Sequence, residues 1–88
     1  MPYIKSEERE QYLEGIENLL QILREPPLEK VSGHLNFIIT TIVKRLYHPR
    51  YFNYNRAVGV LEAVKLEFYR RCVTPYEDKK IEENGDVY

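Results

Sequence analysis

Between Tyr47 and Arg56 the chain places Tyr47, Tyr51, Phe52 and Tyr54 beside His48, Arg50 and Arg56. Flat rings next to guanidinium groups suit stacking on a planar group while pairing with an anion. A second set of the same chemistry follows in Tyr69-Arg70-Arg71, with Tyr76 shortly after. Asn36 and Asn55 add amide edges that can donate and accept hydrogen bonds. Candidate ligand-binding residues are therefore Asn36, Tyr54, Asn55, Arg56, Glu62, Tyr69, Arg70, Arg71 and Tyr76. The plainer alternative for the first set is that Tyr51, Phe52 and Tyr54 close the end of a small core, with Asn53 or Asn55 capping the next helix.

Other chemistries find less support. His34 and His48 have no partner at metal-ligand spacing, so neither a metal site nor a cofactor is expected. The lone Cys72 falls on an apolar helix face, where it is expected to act as a small hydrophobe in a reducing compartment. No catalytic residue is assigned. A magnesium enzyme like the all-α nucleoside triphosphate pyrophosphohydrolases would need carboxylates converging from facing helices. Only Glu14, Glu17, Glu62 and Glu67 are candidates, and Glu62 and Glu67 project about 140° apart on one helix.

The elements that must position these groups are helical. Ser6 is a fitting N-cap, with Glu7 and Glu8 in the first turn, and Tyr12, Ile16, Leu19, Leu20 and Leu23 form an apolar stripe. Pro26-Pro27 end that helix near Arg24. After a stiff linker, Glu25 to Val31, Ser32 is expected to cap a second helix. Its Leu35, Ile38, Ile39, Ile42, Val43 and Leu46 follow the i, i+3, i+4, i+7 spacing of a core face. Asn36, Thr40 and Tyr47 make a narrow polar edge beside it, open to a neighbouring helix or a cavity.

A third helix is expected from Asn55 to Val73, with two apolar faces. Ala57, Val60, Leu61, Val64, Phe68 and Cys72 lie on one, while Val58, Leu66, Tyr69 and Val73 surround Glu62 on the other. Glu62 can reach Lys65 at i+3, but that surrounding predicts a buried Glu62, which would need a partner such as Arg70 or Tyr76, from the same or another chain, or a shifted pKa. Gly59 inside the helix suggests close approach of another backbone. Glu67 can reach Arg70 and Arg71. Pro75 is expected to begin a short fourth helix that Asn84-Gly85 stops.

The 88 residues allow one domain, residues 1–88. So short a chain buries a small share of its surface, and self-association is a common remedy. The second apolar face of the third helix therefore points to a homo-oligomer. The expected fold is all-α: a three-helix bundle with a short C-terminal fourth helix. Thirteen basic residues against fourteen acidic ones argue against a nucleic-acid polymer as partner. The opening residues are unlike a signal peptide, and the apolar run from Phe37 to Val43 is too short to span a bilayer. No membrane partner and a cytoplasmic location are expected.

The opening Met-Pro-Tyr-Ile, the segment Leu35 to Thr40, Gly59-Val60-Leu61-Glu62, Leu66 to Arg71, and Pro75-Tyr76-Glu77-Asp78 through Asn84-Gly85-Asp86-Val87 together form a pattern. It resembles a family of short, uncharacterised, all-helical proteins from phages and prokaryotes, over nearly the whole chain. The resemblance implies that polar residues of the third helix and tail act together, and it carries no established activity. Phages use small oligomeric proteins of similar size and Tyr/Arg content to sequester nucleotide signals of host immunity. By that analogy a non-enzymatic nucleotide binder is expected here, for a cyclic or ADP-ribose-like species. The alternative is a structural or adaptor oligomer without a small ligand.

Overall fold

The computed structural model describes residues 3–88, and every regular element among them is helical. The chain divides into two units, one up to Arg50 and one from Tyr51 to Tyr88.

The first unit holds α1 (Ser6–Leu23) and α2 (Leu28–Leu46). Ser6 is the first helical residue and not the N-cap; the extended Lys5 precedes it and makes no side-chain cap bond. Order is supplied instead by Arg9, whose Nε and Nη2 both donate to the Ile4 carbonyl, at 3.0 and 2.8 Å. This fork satisfies a carbonyl that the helix cannot reach and ties the incoming strand-like segment to the first turn. At the other end Arg24 N–H donates to the Leu20 carbonyl at 3.0 Å, and the two prolines stop the ladder.

The sequence expectation of a linker to Val31 with Ser32 as cap is corrected here. Pro27, at φ −56° and ψ 148°, is itself the N-cap of α2, so helix starts at Leu28 and Ser32 lies inside it. Proline carries its φ preset, and Leu28, Glu29 and Lys30 are all willing helix formers. Glu29 suits the positive end of the helix, and Lys44 and Arg45 suit its negative end. The helix closes at Tyr47, which is extended and donates its N–H to the Val43 carbonyl at 3.2 Å.

Leu20, Leu23, Val31, Ile38, Thr41 and Val43 are half-buried, whereas Leu35, Ile39, Ile42 and Leu46 of the expected core stripe are exposed. The periodicity of α2 thus marks an apolar face that the chain itself leaves largely uncovered.

The second unit is one helical run. α3 (Tyr51–Phe68) passes through a π-helical turn, Tyr69–Val73, directly into α4 (Thr74–Asn84). Helix begins at Tyr51 and not at Asn55, so Tyr51, Phe52 and Tyr54 lie in its first turn and neither Asn53 nor Asn55 is a cap. Pro75 does start α4 near its first position, yet without a break in the chain. Gly85 ends the run at φ +86°, a conformation that side chains with a Cβ avoid, and its N–H donates to the Ile81 carbonyl at 2.8 Å.

Among the described residues only Ala57, at 6% exposure, is buried. Cys72, expected on a covered face, is exposed. Gly59 has no heavy atom within 4 Å of where a Cβ would stand, so the chain shows no backbone approaching it. No helix among the described residues is long and apolar enough to cross a membrane.

Candidate binding surface

Glu62 is not buried. Its side chain is 53% exposed and pairs with Lys65 at 3.1 Å, one turn along. The flanking Val58 and Leu66 are exposed as well, so the carboxylate stands in water among the described residues. An exposed i, i+3 pair contributes little. For the single chain, Glu62→Gln is accordingly expected to change the unfolding free energy by no more than about 0.5 kcal/mol in a urea titration at concentrations where no oligomer forms; a loss several times larger there would return the carboxylate to a covered environment.

Glu67, by contrast, gathers charge. Arg70 Nη2 and Arg71 Nε both donate to Glu67 Oε1, the latter at 2.7 Å. Two guanidinium groups thus converge on one oxygen of a half-buried carboxylate. The spacing i, i+3 and i, i+4 puts both arginines over the same turn as their acceptor. Each arginine side chain remains more than half exposed.

Tyr69 stands beside this trio, and its hydroxyl donates to Glu77 Oε1 at 2.9 Å. That bond, and then the charge of Glu77, hold the phenol above its usual value of 10.0, since ionising it would put two anions together. A raised acid favours the folded state while it is neutral, so its contribution is complete below pH 10 and falls as pH climbs above it. Glu77→Ala should bring the Tyr69 titration back to the ordinary phenol range, read as the alkaline absorbance change near 295 nm in wild type, variant and Tyr69→Phe. A Tyr69 titration unaltered in the variant would mean that Glu77 does not hold the phenol.

The other aromatic set is arranged differently. Arg56 lies over the ring of Phe52 at 4.5 Å, one turn apart on α3, and Lys80 lies over Tyr76 at 5.6 Å on α4. Tyr51 and Tyr54 are exposed. Asn36 is not in this unit; on α2 its Oδ1 accepts from Thr40 Oγ1 at 3.4 Å, so these two members of the polar edge seen in the sequence bond each other along one helix.

Of the nine residues singled out by sequence, the helix thus groups Tyr69, Arg70 and Arg71 around one turn and sets Tyr54, Asn55 and Arg56 around another. At 1.5 Å per residue, the fourteen positions from Arg56 to Arg70 correspond to about 20 Å. The second unit of a single chain cannot close both groups around one small ligand.

Sequence reasoning missed a groove in the first unit. Ile22 and Leu23 of α1 face Gly33, His34, Phe37 and Ile38 of α2 across an open, apolar-walled space of about 390 Å³. Gly33 and Phe37, four apart, supply the gap and its aromatic edge. That i, i+4 pairing was the available signal. None of the nine candidates lines this groove. No group of three or more His, Cys, Asp or Glu among the described residues is placed to hold a metal ion.

These features define a small all-helical protein whose polar chemistry is concentrated on a single interrupted helix. The chain belongs to the family described as Domain of unknown function (DUF6899), whose model matches residues 1–87. No curated protein and no solved structure matches it.

Proposed function

We propose that this chain is a non-enzymatic helical homo-oligomer that binds and sequesters a small nucleotide-type signalling molecule, a cyclic nucleotide or an ADP-ribose-like species. In its concrete form it is a phage anti-defence protein acting in the host cytoplasm. The observation that carries this reading is the π turn, where an aromatic ring and two guanidinium groups on one shared carboxylate stand exposed within a few residues. A ring supplies a stacking face for a base and guanidinium groups supply forked donors for phosphate.

Self-association is supported by the extent of uncovered apolar surface. Leu35, Ile39 and Ile42 on α2 and Val60, Leu61, Val64, Leu66 and Phe68 on α3 are all exposed in the single chain. Apolar side chains left exposed along a helix in this number mark sites of association. The separation of the two aromatic–basic groups along one helix fits pockets at subunit boundaries, where a second copy brings the missing group.

The second reading is a structural or adaptor oligomer with no small ligand. The apolar surface favours it as much as it favours the first, because a covered face needs no pocket. Native mass spectrometry of the purified protein, alone and with a panel of cyclic and ADP-ribose-type nucleotides, separates the two. Retention of unaltered nucleotide at a fixed ratio to subunits is the expected result. An oligomer that retains none is the adaptor, and conversion of nucleotide with Mg²⁺ would make the protein an enzyme.

A further inference from the structure

The interruption between α3 and α4 has a specific geometric consequence. Two turns of α-helix take about 7.2 residues, so the residue aligned two turns below Tyr69 in an unbroken helix is Tyr76. Here it is Glu77, eight positions on, that meets the Tyr69 hydroxyl. One extra residue accommodated in a π turn accounts for the difference. The turn is seen directly in the Thr74 N–H, which donates to the Tyr69 carbonyl five residues back.

The cause lies in Pro75. In an unbroken α-helix its ring would press on the Arg71 carbonyl, which would also lose its donor, at a cost of about 3 kcal/mol. Widening the turn immediately before the proline relieves this crowding while the helix continues.

We infer that the π turn Tyr69–Val73 is a register device, set by Pro75, that decides which residue of α4 lies beneath Tyr69. Two registers can be drawn for this helix, and Pro75 selects the first. In the observed register Tyr69 is held by Glu77. With the extra residue taken up into regular helix, α4 turns by about 100° about its axis. Tyr76 then aligns with Tyr69, Glu77 with Arg70, and Asp78 with Arg71. The second register would release the phenol and bring carboxylates toward the two arginines, so Pro75 decides both the partner of Tyr69 and the local charge around Arg70 and Arg71. This inference concerns the helix alone and holds whether or not the protein binds a nucleotide.

The test uses the full chain and the Tyr69 phenol as reporter, followed by ¹³C NMR of labelled tyrosine with Tyr69→Phe to assign the signal. Pro75→Ala is expected to restore regular α-helix, break the Tyr69–Glu77 bond and return the phenol titration to the ordinary range, with far-ultraviolet helicity retained. Deleting Cys72 in the Pro75→Ala background removes the extra residue, so Glu77 again lies two α-turns below Tyr69, and the raised titration should return. Recovery through deletion cannot come from general damage to the fold. A titration unmoved by Pro75→Ala, or one that the deletion fails to restore, overturns the inference.

Discussion

Leu66→Glu is expected to dissociate the assembled protein into single chains. Leu66 is exposed on α3, beside Val58 and Tyr69, which are exposed as well. If this face of α3 meets another copy, a carboxylate there must be desolvated without a partner. A cost of about 2 kcal/mol for each substituted side chain is ordinary for such a change. In a two-fold contact both copies carry it, so the association constant should fall on the order of a thousandfold. Sedimentation velocity across a concentration series reads this directly, with Glu82→Gln on α4 as the control that should leave the distribution unchanged. An unaltered oligomer in Leu66→Glu would remove this face of α3 from the interface and leave the stripe of α2 as the next surface to test.

Arg70→Ala is expected to abolish nucleotide retention while the oligomer persists. The exposed pair with Glu67 is worth at most about 1 kcal/mol to the fold, and Arg71 still donates to the same carboxylate oxygen, so the helix keeps its geometry. A hydrogen bond to a charged phosphate is worth about 1.5–3 kcal/mol, which is roughly a ten- to hundredfold loss of affinity for each one removed. Titration calorimetry with the retained nucleotide supplies the readout. Arg70→Lys keeps the charge without the planar fork, and binding should recover only in part. If the alanine variant loses assembly instead, Arg70 belongs to the contact between copies. If it binds as tightly as wild type, the phosphate-pairing role falls to other residues.

Local chemistry made much of this architecture legible. Pro26-Pro27 end α1 because two residues cannot join the ladder, and Gly85 ends α4 because the chain must turn to positive φ. The i, i+3, i+4 spacing of Leu35, Ile38 and Ile42 identified α2 as amphipathic helix. The reach of Glu67 to Arg70 and Arg71 could likewise be read from spacing, since such pairs depend only on positions within a turn or so. Capping was less legible. Ser32, Asn53 and Asn55 are good caps by type, yet helix began several residues earlier at Leu28 and Tyr51, where Pro27 or the turn after His48 had already set the backbone.

The sequence by itself determined an all-helical chain, the prolines and glycine that punctuate it, and the aromatic and basic residue types available for binding. Only the structure decided that Glu62 of the single chain stays in water with Lys65, that Asn36 lies apart on α2 while Tyr54, Asn55 and Arg56 sit a helix run away from Tyr69, Arg70 and Arg71, and that Tyr69 meets Glu77. The physical reason is that helix type and charge pairing within a turn follow from neighbours in sequence. Burial depends instead on what covers a face, and the alignment of Tyr69 depends on one extra residue in a π turn, which shifts everything after it without changing the apolar pattern before it.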